Sequence, residues 1–312
     1  MTIVFMEPLS RSWNRMKIAL FRPFDLHKWF VVGFNAFLCG LMDFSNGSGG
    51  VRGQKDTDFR DFMNFPQTAW NWLTDNPAWA IAILFAVLVA IAVVVALTWV
   101  SSRGVFMFLE SVVRDRVEIA RPWREYQKEG DSLFVWRLVF GLITLAAFSG
   151  LVAWFFIQGG TLYREGLDGA FPLGLVIGLA LLAVVMGLVA GYIGLFLKDF
   201  VAALMYKHRI SAVAAWKLFL DLFRKYPFYF LAYGVILFFL MLGFVFVVIA
   251  AGLVTCCIGW LVLVIPYIGT VVTLPFWYLL RAFSLEFLGQ FGPEYEVFAK
   301  PAAPAAPAVP AV

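Results

Sequence analysis

Long apolar runs alternate with short polar segments along this chain of 312 residues. Helices of about 20 residues can cross roughly 30 Å of hydrocarbon, and five of the runs reach that length. They cover residues 78–100, 138–157, 171–197, 227–254 and 258–280. With a shorter run at residues 29–42, this pattern predicts an all-α fold: a polytopic transmembrane helix bundle of six spans.

The run at residues 29–42 is the weakest of the six, because as a helix it rises only about 21 Å. Pro23 and Asp25 suit the start of a helix, so the helix could begin at the membrane boundary and reach Ser45. A half-span or a tilted helix buried in protein is the alternative. In the last run, Pro266 and Pro275 predict kinks or breaks.

Composition agrees with a membrane protein. Apolar residues make up 62% of the chain and charged residues only 14%, with a mean hydropathy of +0.85, which lies outside the range of soluble domains. The net charge of +4 implies no nucleic-acid partner, because membrane lipids of the inner leaflet attract basic residues. We expect a single membrane domain over residues 1–299 and a Pro/Ala-rich flexible tail over residues 300–312.

Lysine and arginine resist translocation and therefore indicate sidedness. With six spans, 20 of the 24 basic residues fall on one side of the membrane and four on the other. This predicts a multi-pass protein with cytoplasmic N and C termini. Residues 45–76 then form an outer loop.

A motif built on tryptophan recurs before each odd-numbered span. The segment SRSWNRMKIALFRPFDL at residues 10–26 resembles AAWKLFLDLFRKYPFYF at residues 214–230, and RDRVEIARPWREY at residues 114–126 aligns with residues 207–219. Each even-numbered span leaves the membrane through a basic residue, namely Arg103, Lys198 or Arg281. We interpret this as a threefold repeat of helix and hairpin, although Trp and Arg also collect at inner membrane boundaries without duplication.

The repeated segments are predicted to be amphipathic helices lying at the cytoplasmic interface. Their candidate interfacial residues are Trp13, Trp123, Trp216, Lys217, Arg224 and Lys225. The aromatic residues would rest at the headgroup boundary, and the basic residues would face anionic lipid or a partner subunit.

The segments LFRPFDLHKWFVVGFNAFLCG and LPFWYLLRAFSLEFLGQFGPEYEVF resemble a family of bacterial six-span membrane proteins that is classed as a domain of unknown function. The resemblance covers nearly the whole chain up to Phe298. It implies the six-span helical fold and a bacterial inner (cytoplasmic) membrane location. It supplies neither an activity nor functional residues.

Small residues form two patches in the fourth span. GLVIG carries Gly174 and Gly178, and GLVAG carries Gly187 and Gly191, followed by Gly194. Nine residues separate Gly178 from Gly187, so the patches face opposite sides of a helix at about 100° per residue. Such patches let helices approach closely, within the bundle or in contact with another protein chain.

Cys256 and Cys257 are adjacent at the outer turn of the last hairpin, and Cys39 lies near the outer end of the first span. A disulfide from Cys39 to one of the pair is compatible with this placement. Reduced or buried thiols are the favoured interpretation, and the adjacent pair lacks the spacing of a metal site.

The sequence contains no recognisable catalytic set. His27 and His208 both lie at the cytoplasmic boundary, no HExxH or GxSxG motif occurs, and the long apolar runs contain no charged residue. We therefore expect a non-enzymatic structural or accessory subunit, without a cofactor, that binds membrane lipids, a membrane-protein partner or further copies of itself. The alternative is a transporter or channel for an apolar or lipid-like substrate, and a membrane-embedded enzyme is a third class.

Overall fold

The structure is a computed structural model that describes residues 3–42, 59–164, 173–255 and 258–298. Cys256, Cys257 and the predicted tail at residues 300–312 lie outside the described residues, so the predictions for them stay predictions. Every regular element among the described residues is helical, which confirms the all-α fold class.

The helices follow one another with short connections. They are α1 (Met6–Phe21), α2 (Leu26–Gly40), α3 (Phe59–Asp75), α4 (Pro77–Arg114), α5 (Ala120–Glu125), α6 (Gln127–Arg164), α7 (Leu173–Phe196), α8 (Ala202–His208), α9 (Ala212–Lys225), α10 (Pro227–Val254), α11 (Ile258–Val264), α12 (Pro266–Val272) and α13 (Leu274–Gly289). A π-helical turn at Leu197–Val201 joins α7 to α8. Proline lies in the first turn of α10, α12 and α13, where a missing N–H is tolerated.

Four helical stretches are long and apolar enough to cross a membrane: Pro77–Arg114, Gln127–Gln158, Gly174–His208 and Pro227–Val254. The pair α12 and α13, bent by 66°, is a fifth candidate. α2 has 15 residues, which rise about 22 Å and fall short of roughly 30 Å of hydrocarbon. The described residues thus indicate a membrane protein with four or five candidate spans, and the prediction of six is not confirmed.

The chain divides into two compact units. The first unit contains Met1–Cys39, Arg103–Gly130 and Phe196–Val312, and the second unit contains Gly40–Ser102 and Asp131–Leu195. α4 and α6 contribute residues to both units. The prediction of a single membrane domain over residues 1–299 stays a prediction.

The core of the first unit is built from the last part of α4, the π-helical turn with α8, and α13. These segments carry fully buried large side chains, including Phe106, Met107, Leu109, Phe200, Leu204, Phe283 and Phe287. The ring of Phe200 stacks on that of Phe219 with centroids 5.6 Å apart, and Phe283 stacks on Tyr233 at 5.4 Å. Because aromatic side chains dominate core energetics, these contacts stabilise the first unit.

α1 packs along α13 within the first unit. The buried residues of α1 include Ser12, Met16 and Leu20, which recur every four positions and so form one helix face. Beside this face, Arg15 Nε donates a hydrogen bond to Glu286 Oε1 at 2.6 Å. The amphipathic pattern of α1 is thus satisfied partly by protein contacts.

Glycines bring α2 close to two other helices. A Cβ added at Gly104 of α4 would lie 2.7 Å from the carbonyl carbon of Leu38, and one added at Gly33 would lie 2.6 Å from Val271 Cγ2. Nearby, Asn35 Nδ2 donates to Ser111 Oγ at 2.9 Å, with both residues buried. α2 therefore packs on protein along one face, where Cys39 is also buried.

The predicted glycine patches lie on α7 in the second unit. Within the described part of the chain, a Cβ added at Gly174, Gly178, Gly187, Gly191 or Gly194 would meet no atom within 4 Å. Close packing of these glycines on another helix of the same chain therefore has no support. Their packing against a second chain stays a prediction.

The second unit presents apolar side chains outward. The most apolar segments of the spans beginning at Pro77 and Gln127 have no buried residues, and that of the span beginning at Gly174 is only 6% buried. Polar contacts occur towards one end of the unit, where Trp99 Nε1 donates to Asp131 Oδ1 at 3.2 Å. Such uncovered apolar helices are typical of surfaces that meet lipid or another protein.

Candidate functional site

A carboxylate lies among the buried apolar residues near the end of α4. Glu110 is 1% exposed, and its Oε2 accepts hydrogen bonds from the hydroxyls of Tyr126 at 2.9 Å and Tyr206 at 2.5 Å. Its Oε1 lies 3.4 Å from Arg114 Nη1 and 3.5 Å from Arg116 Nη1. Because a buried charge is tolerated only when it is paired and hydrogen-bonded, these four groups compensate the burial of Glu110.

Aromatic rings support the hydrogen bonds to Glu110. Tyr126 stacks on Tyr206 with ring centroids 5.1 Å apart and on Phe106 at 5.9 Å. Burial raises the pKa of Tyr126 to about 12, and the hydrogen bond to Glu110 acts in the same direction. The Tyr126 phenol is therefore protonated at neutral pH and serves as a donor.

Arg209 connects the end of α8 to α5 and α6. It adopts a left-handed backbone with φ 56° and caps α8 through its N–H. Its Nη2 lies 2.6 Å from Glu125 Oε1, and its Nη1 lies 3.5 Å from Glu129 Oε1. The guanidinium carbon also lies 3.8 Å from the ring centroid of Tyr126, a cation–π distance. One side chain thus joins three helices around Glu110.

A second buried cluster surrounds the π-helical turn. Arg281 is 4% exposed; its Nη1 donates to the carbonyl of Lys198 at 2.5 Å and lies 3.6 Å from Asp199 Oδ1. Tyr233 donates its hydroxyl to Asp199 Oδ2 at 3.0 Å. Nε and Nη2 of Arg281 have no hydrogen-bond partner among the described residues. π-helical turns are frequent at functional sites, and here the turn carries an ion pair.

The chemistry available in these two clusters is ion pairing and hydrogen bonding between helices. Among the described residues, no group of three or more His, Cys, Asp or Glu side chains could hold a metal ion. A surface groove of about 470 Å³ lies between α1 and α13, with Arg11, Arg15 and Glu286 in its lining, and no residue of either cluster lines it. The geometry of the two clusters therefore supports a structural role, in which their ion pairs and hydrogen bonds fix the positions of the helices.

The residues predicted at the membrane interface are spread over α1, α5 and α9. Trp13 is 49% exposed, whereas Trp123 and Trp216 are half-buried. Trp123 lies 5.2 Å from the guanidinium carbon of Arg103, and Trp216 contacts Phe219 at a centroid distance of 5.7 Å. The exposed basic residues of α9 are Lys217, Arg224 and Lys225. The structure does not bring these residues together as one site, and their interfacial role stays a prediction.

Sequence reasoning missed Glu110 and Asp199. The apolar pattern ends the second and fourth spans at residues 100 and 197, which assigns the charges that follow to the cytoplasmic segments. The sequence predicts that the helices continue beyond these points with mixed apolar and charged residues, but it does not predict that Glu110 and Asp199 lie there among buried residues. A signal was present, because Glu110 is the only acidic residue in the stretch RGVFMFLESVVR.

One protein-family profile matches most of the chain. A family profile described as a family of unknown function, DUF7544, matches residues 5–280. The chain belongs to the DUF7544 family. No curated protein and no solved structure matches it.

The DUF7544 match confirms the resemblance to a domain of unknown function. The matched region contains the Glu110 cluster as well as Asp199 and Tyr233, and it ends one residue before Arg281. Since DUF7544 has no assigned activity, the function has to be argued from the helices and clusters described above.

Proposed function

We propose that this DUF7544 protein is an integral membrane protein that acts as a non-enzymatic structural or accessory subunit. It binds lipids or partner proteins through its uncovered helices. The observation that carries the proposal is the exposure of the candidate spans. The most apolar segment of each of the four long stretches is at most 11% buried. Apolar surface of this extent needs lipid or a second protein to cover it.

The finer topology belongs to the same proposal. Six spans, with α2 as the first and the broken stretch from α11 to α13 as the last, would place both termini in the cytoplasm. The excess of basic residues on that side supports this orientation. We propose the bacterial inner membrane as the location, on the resemblance noted above.

A threefold repeat is supported by two positions with unusual backbone geometry. Asp115 and Arg209 both have positive φ values, of 54° and 56°. Each directly follows a buried helical segment, the last part of α4 or α8, and each precedes one of the tryptophan helices, α5 or α9. The second and third copies of the proposed repeat thus change direction one residue apart in the alignment, which pairs Asp115 with His208.

α9 is the helix best suited to contact anionic lipid or a partner subunit. Its buried residues include Ala215, Phe219 and Leu222, so it is anchored to the first unit along one face. Lys217, Arg224 and Lys225 remain exposed, and each basic residue near an anionic membrane surface contributes about 1 kcal/mol.

A transporter for an apolar or lipid-like substrate is the second candidate function. The observation that favours it is the buried ion pair of Asp199 and Arg281 at a π-helical turn within a candidate span. Ionisable residues inside membrane helices often mark transport pathways.

Replacing Lys217, Arg224 and Lys225 together by Gln tests the accessory function. We expect unchanged thermal stability but weaker association with anionic vesicles, by about 3 kcal/mol in total if each charge contributes about 1 kcal/mol. Vesicle co-sedimentation measures the affinity, and mass spectrometry after purification in mild detergent measures retained lipid and protein.

Asp221→Asn is the matched control, because it removes an exposed negative charge from the same helix and should strengthen the association. If a partner protein co-purifies with the unsubstituted protein in fixed stoichiometry and is lost from the triple variant, the accessory function is supported. Unchanged retention in the triple variant together with a tightly held lipid-like molecule would favour the transporter.

A further inference from the structure

The helix that precedes the first long span has two chemically distinct faces. From Asn64 to Asp75, α3 contains six apolar and six polar residues. At about 100° per residue, the apolar residues fall within an arc of about 160° and the polar residues within about 120° on the other side. The apolar residues are Phe65, Pro66, Ala69, Trp70, Trp72 and Leu73, and the sequence pattern alone had placed them in an outer loop.

The described residues leave this apolar face largely uncovered. The side chains of Phe65, Trp70 and Trp72 are 63%, 68% and 47% exposed. Large aromatic residues on one helix face, without protein packed on them, indicate a surface that meets something else.

The connection between α3 and α4 indicates what the exposed apolar face of α3 contacts. Only Asn76 separates the end of α3 from Pro77, the first residue of the candidate span Pro77–Arg114. The Asn76 N–H donates to the carbonyl of Trp72, and the carbonyl of Asn76 accepts from Ala80 N–H, both at 3.1 Å. α3 is therefore held directly at the point where α4 begins its apolar stretch. The exposed apolar surface of α3 continues onto Trp79, which is 62% exposed.

We infer that α3 is an interfacial helix whose aromatic face lies in the boundary between lipid headgroups and acyl chains, at the end of α4 that carries Trp79. The inference rests on the proposed membrane location. Trp is enriched in this boundary because its ring is apolar while its N–H requires a polar partner, and amphipathic helices lie in the same layer. Asp75 is the only charged residue from Asn64 to Asp75, so the binding depends on apolar burial and is independent of lipid charge. In this respect α3 differs from the basic helix α9.

The test places an environment-sensitive fluorescent amino acid at single positions of the full chain in lipid nanodiscs. Phe65 and Trp70 report on the apolar face, and Gln67 and Asn71, both exposed, report on the polar face. Leu88, which is 56% exposed within the apolar stretch of α4, reports on the span itself. The readouts are the emission wavelength and quenching by lipids brominated near the headgroup or deep in the acyl chain.

We expect several-fold stronger quenching at positions 65 and 70 than at 67 and 71, with shallow bromine more effective than deep bromine, and the same result in zwitterionic and anionic nanodiscs. Equal quenching on both faces overturns the inference. Blue-shifted emission at 65 and 70 without lipid quenching also overturns it, because a protein surface then covers the face. Position 88 distinguishes failure of the interfacial position of α3 from failure of the proposed membrane location. If deep bromine does not quench the label at position 88, α4 does not span the membrane, and the proposed membrane location is wrong.

Discussion

Replacing Glu110 by alanine is expected to lower the free energy of unfolding by about 3–5 kcal/mol, the usual cost of breaking a buried charged network. The variant deprives the buried hydroxyls of Tyr126 and Tyr206 of their shared acceptor, and it removes the carboxylate that Arg114 and Arg116 face. A buried donor left without an acceptor loses its hydration without compensation. Unfolding in detergent micelles, followed by heat or denaturant, measures the loss.

Two further variants separate this effect from a general loss of charge. Glu110→Gln keeps the shape of the side chain and one acceptor oxygen, so it should cost less than Glu110→Ala. Glu7→Ala removes an ion pair with Arg11 whose side chains are 60% and 61% exposed, and exposed pairs contribute less than about 1 kcal/mol. Equal losses for Glu110→Ala and Glu7→Ala would contradict a structural role for the Glu110 cluster.

Gly104→Ala is expected to destabilise the protein by about 1–3 kcal/mol, the usual cost of overpacking. The new Cβ would lie 2.7 Å from the carbonyl carbon of Leu38 and 2.8 Å from the backbone nitrogen of Cys39. A backbone cannot rotate away as a flexible side chain can, so α2 would have to shift relative to α4. The measurement is again the free energy of unfolding in detergent.

Gly187→Ala is the matched control on α7. Nothing among the described residues lies within 4 Å of the added Cβ, and alanine is the better helix former by about 1 kcal/mol. The two substitutions should therefore change stability in opposite directions. Destabilisation at Gly187 equal to that at Gly104 would show that a surface beyond the described residues packs on α7.

The helical membrane fold could be predicted because long apolar runs have few solutions in lipid, where every backbone polar group needs an internal partner. The run at residues 227–254 coincides with α10, and the run at residues 78–100 lies inside α4. Pro266 and Pro275 were expected to break the last run, and they lie in the first turns of α12 and α13.

The packing partners of the helices could not be predicted, because an apolar run does not indicate whether lipid or protein covers it. The glycines at residues 174–194 have the spacing of a helix contact, yet among the described residues a close approach between backbones occurs instead at Gly104, where α4 packs on α2. That contact depends on residues far apart in sequence. Glu110 was missed for the same reason, since its partners are distant in sequence: Tyr126 lies in the turn between α5 and α6, and Tyr206 lies on α8.

The sequence pattern also did not indicate the amphipathic part of α3, which lies within the predicted outer loop. Hydropathy averages the apolar and polar faces of α3, so residues 64–75 do not stand out as an apolar run. Only the helical arrangement separates Trp70 from Asn71 and shows an aromatic face next to α4.

Photolabelling in native membranes with an apolar, carbene-generating lipid tests most directly the claim that the long apolar helices face lipid while the buried segments of the first unit pack on one another. Peptide mapping should find adducts in residues 78–100, 138–157 and 227–254. It should find none in the buried segments 105–109, 200–206 and 282–288. Adducts in the buried segments at the same frequency, or none in the spans, would contradict the account.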